Sequence, residues 1–233
     1  MVGAKQGWAE APYASVPCRP PGIGDAVIPT TRNANITVRV LPGVSQDHPS
    51  DVMRGEEIQI AGYLATDPDF DGVLCLPGTH TKWAHISAGE IVSFRTFMTG
   101  EIFALLANQS VLRFGMSDEE WDETSFLAAV DDAFGRPQAM AASLFSLRAS
   151  GLLHNLDASA ARARLSGIMI GMELAGSRPY WLGQRVVLLG SEQLSDRYKS
   201  ALTQLGALVE TADASNATLE GLRAAYQSWR TTQ

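Results

Sequence analysis

The feature that most constrains the fold is a short polar turn between two apolar segments. Four apolar residues (73–76) end at Pro77-Gly78, and apolar residues resume at Trp83. This pattern predicts a strand, a tight turn and a second strand. The turn contains hydroxyl, imidazole and ammonium groups, and together with its backbone N–H groups these can serve one anion. An ordinary hairpin loop with a solvated lysine is the alternative.

Size, charge and cysteine usage exclude several classes of protein. The chain has 233 residues, enough to bury a core in one large or two small domains. A net charge of −7 without a basic cluster argues against a nucleic-acid partner. No apolar run approaches the length of a membrane span. The two cysteines, Cys18 and Cys75, are far apart, which argues against a disulfide framework and favours the cytoplasm.

The first third of the chain predicts one strand and one helix before a break. Residues 36–41 alternate between apolar and polar and predict a strand. Residues 51–64 predict a helix whose N-cap is Ser50 or Asp51. The Asp-Pro-Asp breaker at residues 67–69 predicts a domain boundary.

The boundary gives a first domain of residues 1–67 and a second of residues 68–233. Within the second domain, apolar runs predict strands at residues 73–76, 83–86, 91–97, 185–189 and 207–210. Helical periodicity predicts a helix capped by Thr99 and further helices at residues 118–134, 138–153, 159–174, 192–205 and 219–229, the last with Ser215 or Asn216 as its cap. Gly167 and Gly171 lie one turn apart in one of these helices, and close helix packing is their expected role.

A second candidate ligand site lies where a predicted strand meets a helix at Gly190-Ser191. Phosphate-bearing ligands often bind where the carboxyl end of a strand meets a helix N-terminus. Every strand–helix unit needs such a turn, so this signal is weak alone. The sequence has no Walker A motif, no G-x-G-x-x-G and no cysteine cluster of metal-ligand spacing, and no metal ligand is assigned.

Long motifs on both sides of the polar turn carry a family resemblance. Residues 76–83 read LPGTHTKW, and residues 94–106 read FRTFMTGEIFALL. Agreement continues in MVGAKQGWAEAPY at the start, in PGV and DVMRGEEIQ at residues 42–59, and in the strand–turn–helix of residues 189–198. Over nearly its whole length the chain resembles the 2-dehydro-3-deoxygalactonokinase family.

The resemblance implies the actin-like ATPase and sugar-kinase fold, an α/β fold with two ribonuclease-H-like domains and ATP in the cleft. The implied activity is a cytoplasmic step of galactonate breakdown, the transfer of the ATP γ-phosphate to the 6-hydroxyl of 2-dehydro-3-deoxy-D-galactonate. Family members open with an Asp-x-Gly-x-Thr-like phosphate loop, which this sequence lacks. We therefore expect an incomplete first domain. The alternative functions are an inactive remnant that binds nucleotide or sugar acid and, against the motif agreement, an unrelated binding domain.

The resemblance also assigns ATP to the two candidate ligand sites. Its phosphates are expected at Gly78, Thr79, His80, Thr81 and Lys82, and its adenosine side at Gly190 and Ser191. Mg²⁺ is expected to bridge the phosphates, with carboxylates acting directly or through water. The partners are then ATP and a sugar acid, without nucleic acid or membrane, and a homo-oligomer is compatible with the sequence.

Two acidic residues are candidates for the base that accepts the 6-hydroxyl proton. Asp51 is the first, because it precedes a predicted helix in surroundings similar to those in related sugar kinases. Glu56 is the second. A plain helix N-cap is the alternative role for Asp51.

A sugar acid carries a carboxylate, which calls for a cationic partner. The candidates are Lys5, Arg54 and Arg95, and a solvated charge is the alternative for each. Gln6 and Trp8 are expected to shape the sugar pocket, with a core position as the alternative for Trp8.

Overall fold

The structure, a computed structural model, describes residue 3 and residues 5–33, 35–117 and 119–231. Helices and strands are interspersed along the chain, as an α/β protein requires. Contacts divide it into two compact units. Unit 1 comprises Met1–Leu76, Lys82–Thr96 and Ala212–Gln233, and unit 2 comprises Pro77–Thr81 and Phe97–Thr211. The predicted domain boundary at residue 67 stays a prediction.

Unit 1 begins with a small three-stranded sheet in the order β1-β2-β3. Its strands are β1 (Tyr13–Ser15), β2 (Gly43–Gln46) and β3 (Asp51–Met53). β1 runs parallel to β2, and β3 runs antiparallel to β2. The strand predicted at residues 36–41 is wrong, since only Val40 pairs there, in an isolated bridge with Val27. Ile36 is exposed, so the alternating apolar residues share no buried face.

The helix predicted from residue 51 begins five residues later. Residues 51–53 form β3, and helix α1 covers Glu56–Thr66 with Gly55 as its N-cap. Gly55 has a φ of 113°, a conformation that residues with side chains rarely adopt. The turn between strand and helix therefore depends on this glycine. The N-cap role predicted for Ser50 or Asp51 is wrong, because a strand and a glycine turn separate them from the helix.

The strand–turn–strand prediction around residue 78 is confirmed. Strands β4 (Gly72–Leu76), β5 (Thr81–Ser87) and β6 (Glu90–Phe97) follow one another, and β5 lies between β4 and β6. β4 and β5 are antiparallel, with Leu76 opposite Lys82. Every residue of β4 is buried, which explains its continuous apolar run. The hairpin leaves the polar turn of residues 77–81 at its tip.

Unit 1 ends with helix α8 (Ala214–Thr231), which packs closely against α1. A Cβ on Gly62 would lie 1.8 Å from the Ala217 carbonyl oxygen, so only glycine fits at this contact. The cap predicted at Ser215 or Asn216 is wrong, because the Asp213 carboxylate accepts hydrogen bonds from both of their N–H groups. An aspartate preceding a helix satisfies its first N–H groups in the same way as the predicted caps would.

Unit 2 is mainly helical. Its elements are α2 (Thr99–Gln109), α3 (Glu123–Gly135), α4 (Met140–His154), α5 (Ala158–Gly176), α6 (Arg178–Trp181), β7 (Val186–Gly190), α7 (Glu192–Gln204) and the start of β8 (Val209–Asp213). Short 3-10 turns lie at Ile23–Asp25 in unit 1 and at Val111–Gly115 and Pro137–Ala139 in unit 2. Within the described ranges, no helix is both long and apolar enough to span a membrane.

The central helix of unit 2 is α5, which is buried along most of its length. A Cβ on Gly167 would lie 2.4 Å from the Phe126 carbonyl oxygen, and one on Gly171 would lie 2.5 Å from the Val130 carbonyl oxygen. Both oxygens belong to α3, so the predicted close packing of the glycine pair is confirmed. The Thr99 cap is wrong, since Met98 is the N-cap of α2 and Thr99 is the first helical residue.

Candidate active site

The turn of residues Pro77–Thr81, here the β4–β5 turn, presents backbone N–H groups that the fold does not use. Among the described residues, no turn or loop hydrogen bond has the N–H of Gly78, Thr79 or His80 as its donor. Thr79 and His80 are exposed, and Gly78 is half-buried. Exposed N–H groups bond to water or to a ligand, and successive N–H groups in a turn can form an anion site. The turn can therefore bind phosphate oxygens through its backbone.

Helix α2 holds the β4–β5 turn through its first residues. The Glu101 N–H donates to the Thr79 carbonyl oxygen at 2.9 Å. A Cβ on Gly100 would lie 2.3 Å from the Gly78 carbonyl oxygen, so the turn and the helix meet backbone to backbone. His80 Nε2 lies 2.5 Å from Glu101 Oε2. The His80 ring thus already has a carboxylate partner, and its backbone N–H is the better phosphate donor.

Thr81, the last residue of the turn, lies in the interior. Its side chain is fully buried, and its hydroxyl oxygen lies 3.0 Å from the hydroxyl of Tyr198 on α7. The prediction of a direct phosphate contact through this side chain is not supported, because the hydroxyl faces Tyr198 instead of solvent.

The structure brings the second predicted ligand segment next to the turn within unit 2. Gly190 ends β7, and Ser191 is the N-cap of α7 without a capping hydrogen bond from its side chain. A Cβ on Gly190 would lie 3.3 Å from the Pro77 carbonyl oxygen and 3.0 Å from Ser195 Oγ. Ser195 is buried, and its hydroxyl has no hydrogen-bond partner in the described part of the chain. In the sequence, the only indication of Ser195 is its position four residues after Ser191.

A small cleft adjoins the turn in unit 2, and sequence analysis did not identify it. Gly78, Gly100 and Arg197 are among its lining residues. The Arg197 guanidinium lies 3.9 Å from the centre of the Trp121 ring. Burial and, secondly, the nearby charge of Arg162 lower the pKa of Arg197. The charge of Glu123 acts against this lowering, and Arg197 supplies one cation to the lining of the cleft.

Two predicted site residues form an ion pair in unit 1. Lys82 Nζ lies 3.3 Å from Glu56 Oε1, and Lys82 is only 5% exposed. The other Glu56 oxygen accepts the Arg54 N–H at 3.1 Å. The alternative of a solvated lysine in an ordinary loop is therefore wrong. Lys82 is a buried cation with a carboxylate partner.

The other predicted base, Asp51, is engaged by the backbone. One carboxylate oxygen accepts the Thr96 N–H at 2.7 Å, and the other accepts the Val52 N–H at 2.8 Å. Both bonds lie in unit 1, and the bond from the Thr96 N–H connects β3 with β6. A carboxylate with both oxygens bonded in this way has a structural function, whether or not it also takes part in chemistry.

Glu57 is a titratable residue that sequence analysis overlooked. It is 2% exposed, and its carboxylate accepts the Gly55 N–H at 2.7 Å. Its pKa is raised to about 7, mainly by burial; the charge of Glu56 acts in the same direction, and the backbone hydrogen bonds and Arg54 act against it. The only signal in the sequence is that it follows Glu56 directly.

Of the predicted sugar-acid ligands, Arg54 has the most constrained surroundings. Its guanidinium stacks 4.3 Å from the centre of the Tyr13 ring, and Nη2 donates to the Ala11 carbonyl oxygen at 2.9 Å. Nε and Nη1 are buried and have no hydrogen-bond partner in the described ranges. The solvated-charge alternative is therefore wrong for Arg54, which retains two donors for an anion.

The remaining predicted sugar-acid ligands lie on the surface. They are Lys5, Gln6, Trp8 and Arg95. Trp8 is 54% exposed, so its alternative role as a core residue is wrong. Exposed side chains are available to a ligand, but exposure alone does not distinguish them from solvated ones.

The chain offers no evident protein cage for a metal ion. No group of three or more His, Cys, Asp or Glu side chains in the described part of the chain is arranged to hold one. Mg²⁺ usually keeps several water ligands and binds through substrate phosphates. It stays a prediction that accompanies ATP, and the residue roles below do not depend on it.

Comparisons with known proteins agree with the resemblance. A family model described as 2-keto-3-deoxy-galactonokinase matches residues 1–225. A Rhizobium meliloti protein named "Probable 2-dehydro-3-deoxygalactonokinase" is 38% identical over 237 residues, which cover 98% of this chain and 76% of the relative. An Escherichia coli protein named 2-dehydro-3-deoxygalactonokinase is 35% identical over 226 residues, which cover 96% of this chain and 75% of the relative.

A solved structure is also similar to this chain. The crystal structure of a Sinorhizobium meliloti protein with the same enzyme name matches with a TM-score of 0.91 at 37% identity, covering 98% of this chain and 76% of the other. This similarity confirms the predicted fold class. The chain spans about three quarters of the length of these relatives. The chain belongs to the 2-keto-3-deoxy-galactonokinase family of phosphotransferases.

Proposed function

We propose that this chain is an ATP-dependent kinase that phosphorylates 2-dehydro-3-deoxy-D-galactonate at its 6-hydroxyl. Family membership and the enzyme names of the relatives support this substrate. The structural observation that carries the proposal is the set of unpaired N–H groups at Gly78, Thr79 and His80. The proposed reaction uses ATP and Mg²⁺ and is part of galactonate breakdown in the cytoplasm.

In this proposal the β4–β5 turn binds the β- and γ-phosphates through its backbone. Phosphoryl transfer depends mainly on positioning and charge neutralisation, which N–H groups on a fixed turn supply. Gly190 and Ser191 take the adenosine side, because the N-terminal N–H groups of α7 begin directly beside Pro77. Lys82 remains a candidate phosphate ligand, but it has to share its charge with Glu56.

We assign the base to Glu56 in preference to Asp51. The hydroxyl oxygen attacks the γ-phosphorus, the bond to the bridging oxygen of ADP breaks, and the hydroxyl proton passes to the base. Both oxygens of Asp51 accept backbone N–H groups, whereas only one oxygen of Glu56 does, and the other faces the Lys82 ammonium at 3.3 Å. The Glu56 side chain is 25% exposed and therefore reachable. Its contacts with Lys82 and with the Arg54 N–H hold the carboxylate in place.

The carboxylate of the sugar acid is assigned to Arg54. Its two guanidinium nitrogens without a hydrogen-bond partner, Nε and Nη1, point in different directions, and each can donate a single hydrogen bond to an anion. Lys5, Gln6, Trp8 and Arg95 remain candidates for further contacts with the sugar acid. The homo-oligomer also stays a prediction.

The direct test is ADP release by the purified chain with ATP and Mg²⁺. Reactions contain 2-dehydro-3-deoxygalactonate, the gluconate-derived acid that differs at one carbon, or no sugar. We expect release above the no-sugar control with the galactonate-derived acid, and phosphorus NMR should locate the new phosphate on the 6-oxygen. ATP binding without ADP release would instead support the inactive-remnant alternative. Absence of both would contradict the assignment of the turn to ATP.

A further inference from the structure

A chain of buried hydrogen bonds leads from the β4–β5 turn into the interior of unit 2. The Thr81 hydroxyl meets the Tyr198 hydroxyl at 3.0 Å, and the Tyr198 hydroxyl donates to Glu173 Oε2 at 2.8 Å. The Thr99 hydroxyl donates to the same oxygen of Glu173. All four side chains are at least nine-tenths buried. The carboxylate on α5 thus links the end of the turn to the first residue of α2.

The direction of these hydrogen bonds follows from the number of protons. A hydroxyl has one proton to donate, and that of Tyr198 goes to Glu173. Tyr198 can therefore only accept from Thr81, and the Thr81 proton points into the interior. In this arrangement Thr81 has no proton left to donate to a phosphate oxygen or to a carbonyl of its own turn. Glu173 sets this direction, because its Oε2 accepts from both the Tyr198 and the Thr99 hydroxyl groups.

The other end of the network fixes the element on which the turn rests. Thr99 immediately precedes Gly100 and Glu101, the two residues that contact the Gly78 and Thr79 carbonyl oxygens. Hydrogen bonds to a buried charged group are among the stronger ones in proteins. Glu173 therefore holds both the C-terminal end of the turn and the helix start that supports its middle.

We propose that Glu173 and Tyr198 are positioning residues for ATP. They keep the β4–β5 turn in the conformation in which the N–H groups of Gly78, Thr79 and His80 stay unpaired and available. They act through Thr81 and Thr99 and need no contact with the nucleotide. Without this network, the Thr81 hydroxyl is released to bond locally to backbone groups, as threonine does in many turns. The proposal rests on the proposed function, because it takes ATP as the ligand of the turn.

The test compares variants that each remove one hydroxyl group or one charge. Tyr198→Phe, Thr81→Val and Glu173→Gln each remove one feature of the network while keeping shape and volume. Tyr63→Phe on α1 is the control, since it removes a tyrosine hydroxyl elsewhere in the chain. Measurements are the dissociation constant of the nonhydrolysable ATP analogue adenylyl imidodiphosphate, the KM values for ATP and the sugar acid, kcat and the melting temperature.

We expect each network variant to weaken binding of the analogue by about tenfold, as the loss of one buried hydrogen bond implies. The KM for the sugar acid should stay within about twofold, since these residues act on the turn alone. The Tyr198→Phe/Thr81→Val double variant should bind no more weakly than either single variant, because both break the same contact. Thr81→Ser, which keeps the hydroxyl, should bind the analogue like the wild-type chain.

Two results would overturn the proposal, and they differ in what they mean for the function. If the network variants lose melting temperature but bind the analogue as Tyr63→Phe does, the network only stabilises the fold, and the kinase assignment stands. If the wild-type chain itself does not bind the analogue, the phosphate role of the turn fails, and the positioning role fails with it.

Discussion

The β4–β5 turn and the segment of residues 51–57 are both short and polar, but they differ in whether the fold itself uses their polar groups. In the turn, the N–H groups of Gly78, Thr79 and His80 have no turn or loop partner among the described residues. In the segment, carboxylates bind N–H groups and Lys82 within the chain. The turn is open to a ligand, whereas the segment is largely satisfied by its own neighbours.

This difference shows why residue type alone does not identify a site. Both stretches carry residues typical of phosphoryl transfer, and sequence analysis drew candidate site residues from each. Polar groups inside a folded protein are mostly satisfied internally, whereas the exposed N–H groups of the turn are left for water or a ligand. By this comparison the turn is the better candidate ligand site, and Glu56 and Arg54 are the segment's candidates for chemistry and binding.

The largest expected effect separates the two carboxylates of the segment. Glu56→Gln should lower kcat by about a hundredfold or more, the usual scale for loss of a general base. Asp51→Asn should keep kcat within severalfold and instead cost about 1–2 kcal/mol of stability, because it weakens hydrogen bonds to the backbone. Steady-state kinetics and urea unfolding of both variants measure this. If Asp51→Asn instead lowered kcat more than Glu56→Gln, Asp51 would be the base.

The next effect tests how the turn rests on α2. In Gly100→Ala, the new methyl group collides with the Gly78 carbonyl oxygen, which a Cβ would approach to 2.3 Å. We expect ATP binding to weaken by about tenfold or more, since overpacking costs about 1–3 kcal/mol. Gly151→Ala is the matched control, because nothing lies within 4 Å of its added Cβ. The control should bind ATP normally and gain up to about 1 kcal/mol in helix stability. Equal ATP affinities for the two variants would show that the turn does not need this contact.

A smaller effect concerns the buried Glu57. Its pKa is raised to about 7 from 4.5, so the fold favours the protonated form. The contribution to stability is then fully present below about pH 4.5 and is lost as the pH rises through about 7. Glu57→Gln should therefore be more stable than the wild-type chain at pH 8 by roughly 3 kcal/mol, and this advantage should largely vanish towards pH 4.5. Urea unfolding across this range measures it, and a difference independent of pH would contradict the assigned pKa.

The smallest effect distinguishes backbone from side-chain recognition in the turn. The His80 ring is paired with Glu101 at the surface, where such pairs contribute little. His80→Ala should thus change the affinity for ATP by less than about threefold, because the N–H group remains. Titration with adenylyl imidodiphosphate measures this, with Gly100→Ala as the positive control. A loss as large as that of Gly100→Ala would make the imidazole a phosphate ligand.

The parts of the fold that sequence analysis predicted correctly have a strong local signal. β4 is a continuous apolar run ended by Pro77-Gly78, and α7 follows Ser191 with a clear amphipathic period. Strands β1 to β3 contain only three or four residues each, too few to establish a period. The glycine that separates β3 from α1 was interpreted as a helix interior, because its positive φ is not visible in the sequence.

The residues of the candidate site also differ in how strong a local sequence signal they have. Gly78, Thr79 and His80 could be predicted because turn, motif and chemistry coincide in one short stretch. The residues that hold the turn could not be predicted from the sequence. Thr81 and Tyr198, for example, are 117 residues apart and meet only through the packing of helices. Glu173 lies in a helix that is buried nearly all round, where a carboxylate has no sequence pattern to mark it.

The central claim is that the backbone of the β4–β5 turn binds the phosphates of ATP. The most direct measurement is an NMR titration of the isotope-labelled chain with adenylyl imidodiphosphate and Mg²⁺. The account predicts large downfield shifts of the Gly78, Thr79 and His80 amide protons, as expected for N–H groups that gain charged acceptors. The amide of Gly89, in the β5–β6 turn, should not move. Binding of the analogue with all three turn amides unshifted would contradict the account.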